Sequence, residues 1–135
     1  MKKDIIIPQV KDIHIVALYE YNDDFLDYTW NVYLVNNANE SLESVMVVSS
    51  AFGTLDGEMR KTSTLRHAFA NIQPFEYAKI EMIEKSLLTF TNEFMVTYFI
   101  GNTLYDKKFA FAKDSLNDKF LTIIPLIKKQ GIVAI

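Results

Sequence analysis

From residue 12 to residue 111 the dominant spacing of apolar positions is two, the period that sends alternate side chains to opposite faces of a sheet. Asp12 to Tyr21 sets Ile13, Ile15, Ala17, Tyr19 and Tyr21 on one face and His14, Val16, Leu18 and Glu20 on the other, which predicts a strand. Tyr28 to Val35 alternates Tyr28, Trp30, Val32 and Leu34 against Thr29, Asn31, Tyr33 and Val35, and it ends in the turn-prone Asn36-Asn37-Ala38-Asn39, a hairpin signal. Leu42 to Phe52 centres on Val45-Met46-Val47-Val48, a continuous apolar block that predicts a central strand covered on both faces.

Gly53 to Gly57 reads as a loop, and Met59 to Ala70 and Phe75 to Glu84 as two further strands parted by Gln73-Pro74. Phe94 to Ile100 and Leu104 to Phe111 flank Gly101-Asn102-Thr103, the clearest hairpin in the chain. Asp114 is placed to cap one short helical turn before Leu121 to Ile124 runs into Pro125. About seven short strands with so little helix predict an all-β fold, an antiparallel, immunoglobulin-like β-sandwich, over a βαβ arrangement.

Composition narrows the picture. The 135 residues fit one domain, 1–135, half of them hydrophobic and enough to bury a core. There is no cysteine, which removes disulfides, thiolate zinc sites and thiol nucleophiles. No apolar run reaches the length of a signal-peptide core or a membrane span, so the expectation is a cytoplasmic protein without membrane contact. With two histidines and none of the nucleophile-elbow, phosphate-loop, dinucleotide, zincin or EF-hand patterns, the expectation is a protein with no cofactor and no catalytic activity. Carboxylate pairs remain as a candidate acid and base for an enzyme.

Four features carry candidate chemistry. Asn22, Asp23, Asp24 and Asp27 offer hard oxygens of the kind calcium takes, but without a ligand spacing, so a solvated loop is the plainer reading and no metal site is expected. In extended geometry Arg60, Thr62, Thr64 and Arg66 would share a face, and with Lys61 and His67 they form a candidate phosphate- or RNA-binding row; a charged edge strand that blocks unwanted pairing is the structural alternative. A net charge of -3 opposes nucleic acid as a general partner. The tyrosines at 19, 21, 28, 33, 98 and 105 and Trp30 offer a stacking platform, though their place within apolar alternations favours core packing.

Both Ile5-Ile6-Ile7 and Ile132-Val133-Ala134-Ile135 are apolar where termini are usually polar. The second run either pairs within its own sheet or adds as a strand to a partner or a second copy. A non-catalytic protein-interaction module that binds through an edge or terminal strand is therefore the leading expectation, and RNA binding along Arg60 to His67 the alternative.

The segments Thr29-Trp30-Asn31-Val32-Tyr33-Leu34-Val35-Asn36-Asn37 and Ser115-Leu116-Asn117-Asp118-Lys119 with Ile124-Pro125-Leu126 resemble a β-sandwich domain found beside Smr domains. The whole chain, above all Asp56 to His67 and Leu104 to Phe109, is similar to a family of short β-sandwich proteins, some of which carry a phenylalanyl-tRNA synthetase label. The resemblance implies a sandwich and supplies no catalytic residue, because neither ATP-binding motifs nor an amino-acid pocket is visible here.

Overall fold

A computed structural model describes residues 8–62 and 64–135; Ile5-Ile6-Ile7 and Ser63 lie outside the described residues. Among the described residues the alternation becomes ten strands: β1 (Ile13–Asn22), β2 (Asp27–Asn36), β3 (Leu42–Leu55), β4 (Glu58–Lys61), β5 (Leu65–Ile72), β6 (Tyr77–Ile83), β7 (Thr91–Ile100), β8 (Thr103–Phe111), β9 (Thr122–Ile124) and β10 (Lys129–Val133). They form two antiparallel sheets. The first runs β6-β2-β1-β10-β9; the second runs β4-β3-β7-β8, with β5 on β3 beside β4. The paths β6-β2-β1 and β5-β3-β7-β8 follow the immunoglobulin-like order, with β5 beside β3 rather than crossing to the other sheet and with β9 and β10 extending the first sheet beyond β1.

The predicted faces of β1 and β2 explain the core. Ile13, Ile15, Ala17, Trp30, Val32 and Leu34 meet Val45, Val47, Phe94, Val96, Tyr98 and Phe109 of the other sheet in one buried cluster. The opposite face of β1 is covered as well, since Val16 and Leu18 pack with Val35 under Ile124 and Ile127 of the C-terminal segment. Apolar residues at both parities of β1 thus meet two separate cores.

Several local expectations are corrected. The run expected as one strand over Met59 to Ala70 is two, β4 and β5, because Thr62 breaks it: its N–H donates to Ala51 O at 2.8 Å while its Oγ1 accepts from Ala51 N at 2.8 Å. The predicted loop Gly53 to Gly57 shrinks to a two-residue turn, since Asp56 and Gly57 both take left-handed φ values of 52° and 78° and let β3 and β4 pair up to Leu55 and Glu58. Asn36 to Asn39 is not a hairpin; it carries the chain across to the second sheet, held by the buried Asn36 amide, which donates to the carbonyls of Glu40, Ile72 and Gln73. β3 is central but covered on one face only, because Met46 on its outer side is exposed. The short turn near the C-terminus is a 3-10 turn, Asp118–Phe120, capped by Asn117 rather than Asp114, whose own φ of 61° is left-handed. The hairpin at Gly101-Asn102 forms as predicted, with Ile100 opposite Thr103.

Both lateral seams of the sandwich are joined. At one, β6 of the first sheet faces β3 and β5 through Glu81, which accepts from Ser49 Oγ and lies 2.8 Å from His67 Nε2. At the other, the chain leaves β10, where Ala134 N donates to Ile15 O at 2.8 Å, and Ile135 exchanges backbone bonds of 2.9 and 3.0 Å with Ala110 of β8.

Candidate functional site

A concavity opens at the end of the sandwich where the β1–β2 hairpin projects. It has a volume of about 650 Å³. One wall is built by the hairpin: Tyr19 and Tyr28 stack with ring centroids 4.8 Å apart, Trp30 lies 4.8 Å from Tyr19 on a tilted plane, and Tyr21 meets Tyr28 edge-on at 5.5 Å. Cross-strand register puts them there, since Tyr19 faces Trp30 and Tyr21 faces Tyr28. The result is an aromatic ladder that climbs out of the core, from Trp30 at 5% exposure to Tyr28 at 48% and Tyr21 at 53%. The opposing wall comes from the end of β6 and the 3-10 turn Lys85–Leu87: Met82, Ile83, Glu84, Lys85 and Leu88.

Few polar groups line this apolar hollow, and their states are set locally. Lys85 Nζ bonds Asp27 Oδ2 at 2.9 Å across the mouth. That bond, with a second from Tyr28 N–H, holds the Asp27 carboxyl below its ordinary range, and Asp27 in turn holds the Lys85 ammonium above its own. Burial pushes the Tyr19 hydroxyl up, assisted by the negative charges of Asp118 and Asp27. The Thr29 hydroxyl oxygen is buried at the cavity and has no hydrogen-bond partner among the described residues.

The hairpin tip beside the cavity is unusual for a turn. Asn22 Oδ1 closes it by accepting from Asp24 N and Phe25 N, and Leu26 takes a left-handed φ of 53°. This leaves Phe25 60% and Leu26 76% exposed between the acids at 23, 24 and 27. The acids themselves do not gather: among the described residues no three acidic or histidine side chains are placed to hold a metal ion.

No family model, curated protein or solved structure matches the chain.

The expected cationic row is not assembled. Arg60 lies opposite Gly53 and Arg66 opposite Val48, positions of opposite parity on β3, so their side chains leave opposite faces of the sheet. Arg60 pairs with Glu58 at 3.1 Å, Thr62 is spent on Ala51, Thr64 is exposed in the break between strands, and His67 turns to Glu81. Lys61, opposite Phe52, shares the outer face with Arg66. The run Ile132 to Ile135 takes the intramolecular course, with Ile132 and Val133 opposite Ala17 and Val16 and Ala134 and Ile135 bonded to Ile15 and Ala110.

The Ser49, His67 and Glu81 side chains invite comparison with a hydrolytic triad, but the order is wrong. In a triad the imidazole stands between hydroxyl and carboxylate and takes the hydroxyl proton. Here one carboxylate oxygen serves both partners, so Ser49 is pinned rather than activated.

Phe25, Glu84, Lys85 and Leu88 were not singled out by sequence reasoning. One signal for them was present: Phe25-Leu26 sits as an apolar pair within an acidic turn, where polar residues are the rule. The opposing wall left no such trace.

Proposed function

We propose that this chain is a non-catalytic protein-interaction module that receives its partner at the aromatic cavity and the hairpin tip beside it. The observation that carries the reading is the joint exposure of Tyr21, Phe25, Leu26 and Tyr28 around a concave apolar hollow. An exposed apolar patch rimmed by charge marks an interaction surface, and its spread beyond the hollow suits a protein rather than a small molecule alone. A cytoplasmic setting, expected from the sequence, goes with this reading; no helix among the described residues is long and apolar enough to cross a membrane.

The non-catalytic part carries over the expectation from the sequence, and Asp27 is in keeping with it. A general acid or base works best with its pKa near the operating pH, and Asp27 is shifted the other way by Lys85. Two of the strand edges, those of β6 and β8, give a partner less to hold. The β6 edge is joined to β5 through Glu81, Ile135 covers β8 at Ala110, and the rest of β8 carries Asp106, Lys107 and Lys108, charges of the kind that guard edges. RNA binding along Arg60 to His67 has less support, since the two arginines diverge.

The test is paired capture from native lysate with the tagged wild type and a Phe25→Ser, Leu26→Ser variant of matched thermal stability. A protein retained at high salt by the wild type and lost by the variant is the expected result. Equal retention by both, or retention only of nucleic acid at low salt, rejects the reading.

A further inference from the structure

We infer that the cavity takes a cationic side chain of the partner, lysine or arginine, laid against the Tyr28 ring and met by Asp27 and Glu84 at the mouth. The inference rests on the cavity being the docking site and adds the chemistry of its occupant. Aromatic faces attract ammonium and guanidinium groups through the ring quadrupole, and carboxylates beside the ring add a Coulombic attraction of their own. Both elements are present. The ladder offers Tyr28, half exposed and stacked on Tyr19, while Asp27 and Glu84 line the same hollow.

Charge around the mouth favours a cation over an anion. Among the described residues Lys85 is the one basic side chain lining the cavity, and Asp27 already answers it at 2.9 Å, leaving Glu84 without a described cationic partner. Asp23 and Asp24 precede Phe25 on the hairpin tip, and Asp118 lies near enough to Tyr19 for its field to act on that hydroxyl. A chain of net charge -3 also steers a basic partner toward it.

Lys85 shows how the occupant is held. Its ammonium is a lysine head group seated on Asp27, with 81% of its side chain exposed, and an ion pair that open to water exchanges partners at little cost. An incoming lysine or arginine takes its place on Asp27 and gains the exposed part of the Tyr28 ring and Glu84, which lie beyond the Lys85–Asp27 pair.

The experiment titrates the intact protein with N-acetyl-lysine, N-acetyl-arginine and N-acetyl-norleucine methylamides, followed by the indole N–H signal and fluorescence of Trp30, the sole tryptophan. The cationic probes should bind about tenfold more tightly than norleucine, their apolar counterpart. Asp27→Asn, Glu84→Gln should remove that margin, and Lys85→Ala should tighten the cationic probes. The lysine and arginine arms tell which head group fits. Norleucine binding as well as lysine, or a margin that survives Asp27→Asn, Glu84→Gln, overturns the cation inference while leaving the cavity as a docking site. Silence of Trp30 toward all three probes overturns the inference; loss of lysate capture in the Phe25, Leu26 variant then decides the docking site separately.

Discussion

His67 and Glu81 are joined across the lateral seam of the sandwich, Nε2 to Oε1 at 2.8 Å, although His67 stands on β5 of one sheet and Glu81 on β6 of the other. The Ser49 hydroxyl donates to the same oxygen from β3. One carboxylate therefore ties the two sheets together along this seam, and it leaves Ser49, which is buried, dependent on it. Removing a partner from a buried hydroxyl costs about 1–3 kcal/mol, more than the bond is worth when both partners are present. Glu81→Ala should lower unfolding free energy in urea by that amount, whereas Glu81→Gln keeps an acceptor for Ser49 and should lose less than half as much. Equal losses would mean that the seam is held by packing and not by this oxygen.

Gly131 is the point where β10 enters between β1 and β9. A Cβ built on it meets Ala17 O at 2.6 Å and Leu18 Cδ2 at 2.9 Å, and the first of these is backbone, which has nowhere to go in a paired strand. Gly131→Ala should force β10 away from β1 and cost about 1–3 kcal/mol, the usual penalty of overpacking. In a domain of this size that is a fall in thermal midpoint of about 5 °C or more. An unchanged midpoint would show that the three strands slide apart freely.

How much of this was legible follows the range of the interactions. The faces of β1 and β2 could be read because alternation is local: Ile13, Ile15 and Ala17 are inside the main core as the pattern requires. The break at Thr62 could not, since no glycine or proline marks it and the cause is a pair of bonds to Ala51, eleven residues back. The same holds for the candidate site. Tyr19, Tyr28 and Trp30 were visible as aromatic alternation, which favoured core packing, and Trp30 obeys that reading while Tyr28 emerges from it. The other wall depends on Asp27 meeting Lys85 across 58 residues, a proximity that only the fold creates. The cationic row failed for a related reason: a single face over Arg60 to Arg66 presumed an unbroken strand.

Glu20 predicts how the protein responds to acid. Burial works to raise its carboxyl, but hydrogen bonds from Asn31 Nδ2 and the Tyr33 hydroxyl, both 2.9 Å, and from Lys129 Nζ at 3.1 Å outweigh it and hold the group below the ordinary glutamate value of 4.5. A carboxyl depressed in the folded state stabilises fully above its unfolded value, and that contribution is lost as pH falls through the folded one. Wild type should therefore lose stability relative to Glu20→Gln as pH drops below 4.5, with the two profiles running parallel above about pH 6. Chemical denaturation at a series of pH values reads the difference, and a gap that stays constant into acid would show Glu20 to be unperturbed.

The last two residues separate two roles for the C-terminal run. Ile135 is 90% exposed, yet its backbone exchanges two bonds with Ala110, and Ala134 N bonds Ile15 O, so this short stretch touches both sheets. If its role is to close the seam, deleting Ala134 and Ile135 should cost about 1–3 kcal/mol for the lost backbone bonds. Ile135→Ser, which alters only an exposed side chain, should cost almost nothing. Partner capture, which the cavity reading assigns to the opposite hairpin, should survive either change once the truncated protein is assayed at a temperature where it is folded. A run that instead serves as an added strand for a partner would behave the other way: capture would fail on deletion while stability held. The two measurements on the same pair of variants therefore decide whether this tail is an internal tie or an offered strand.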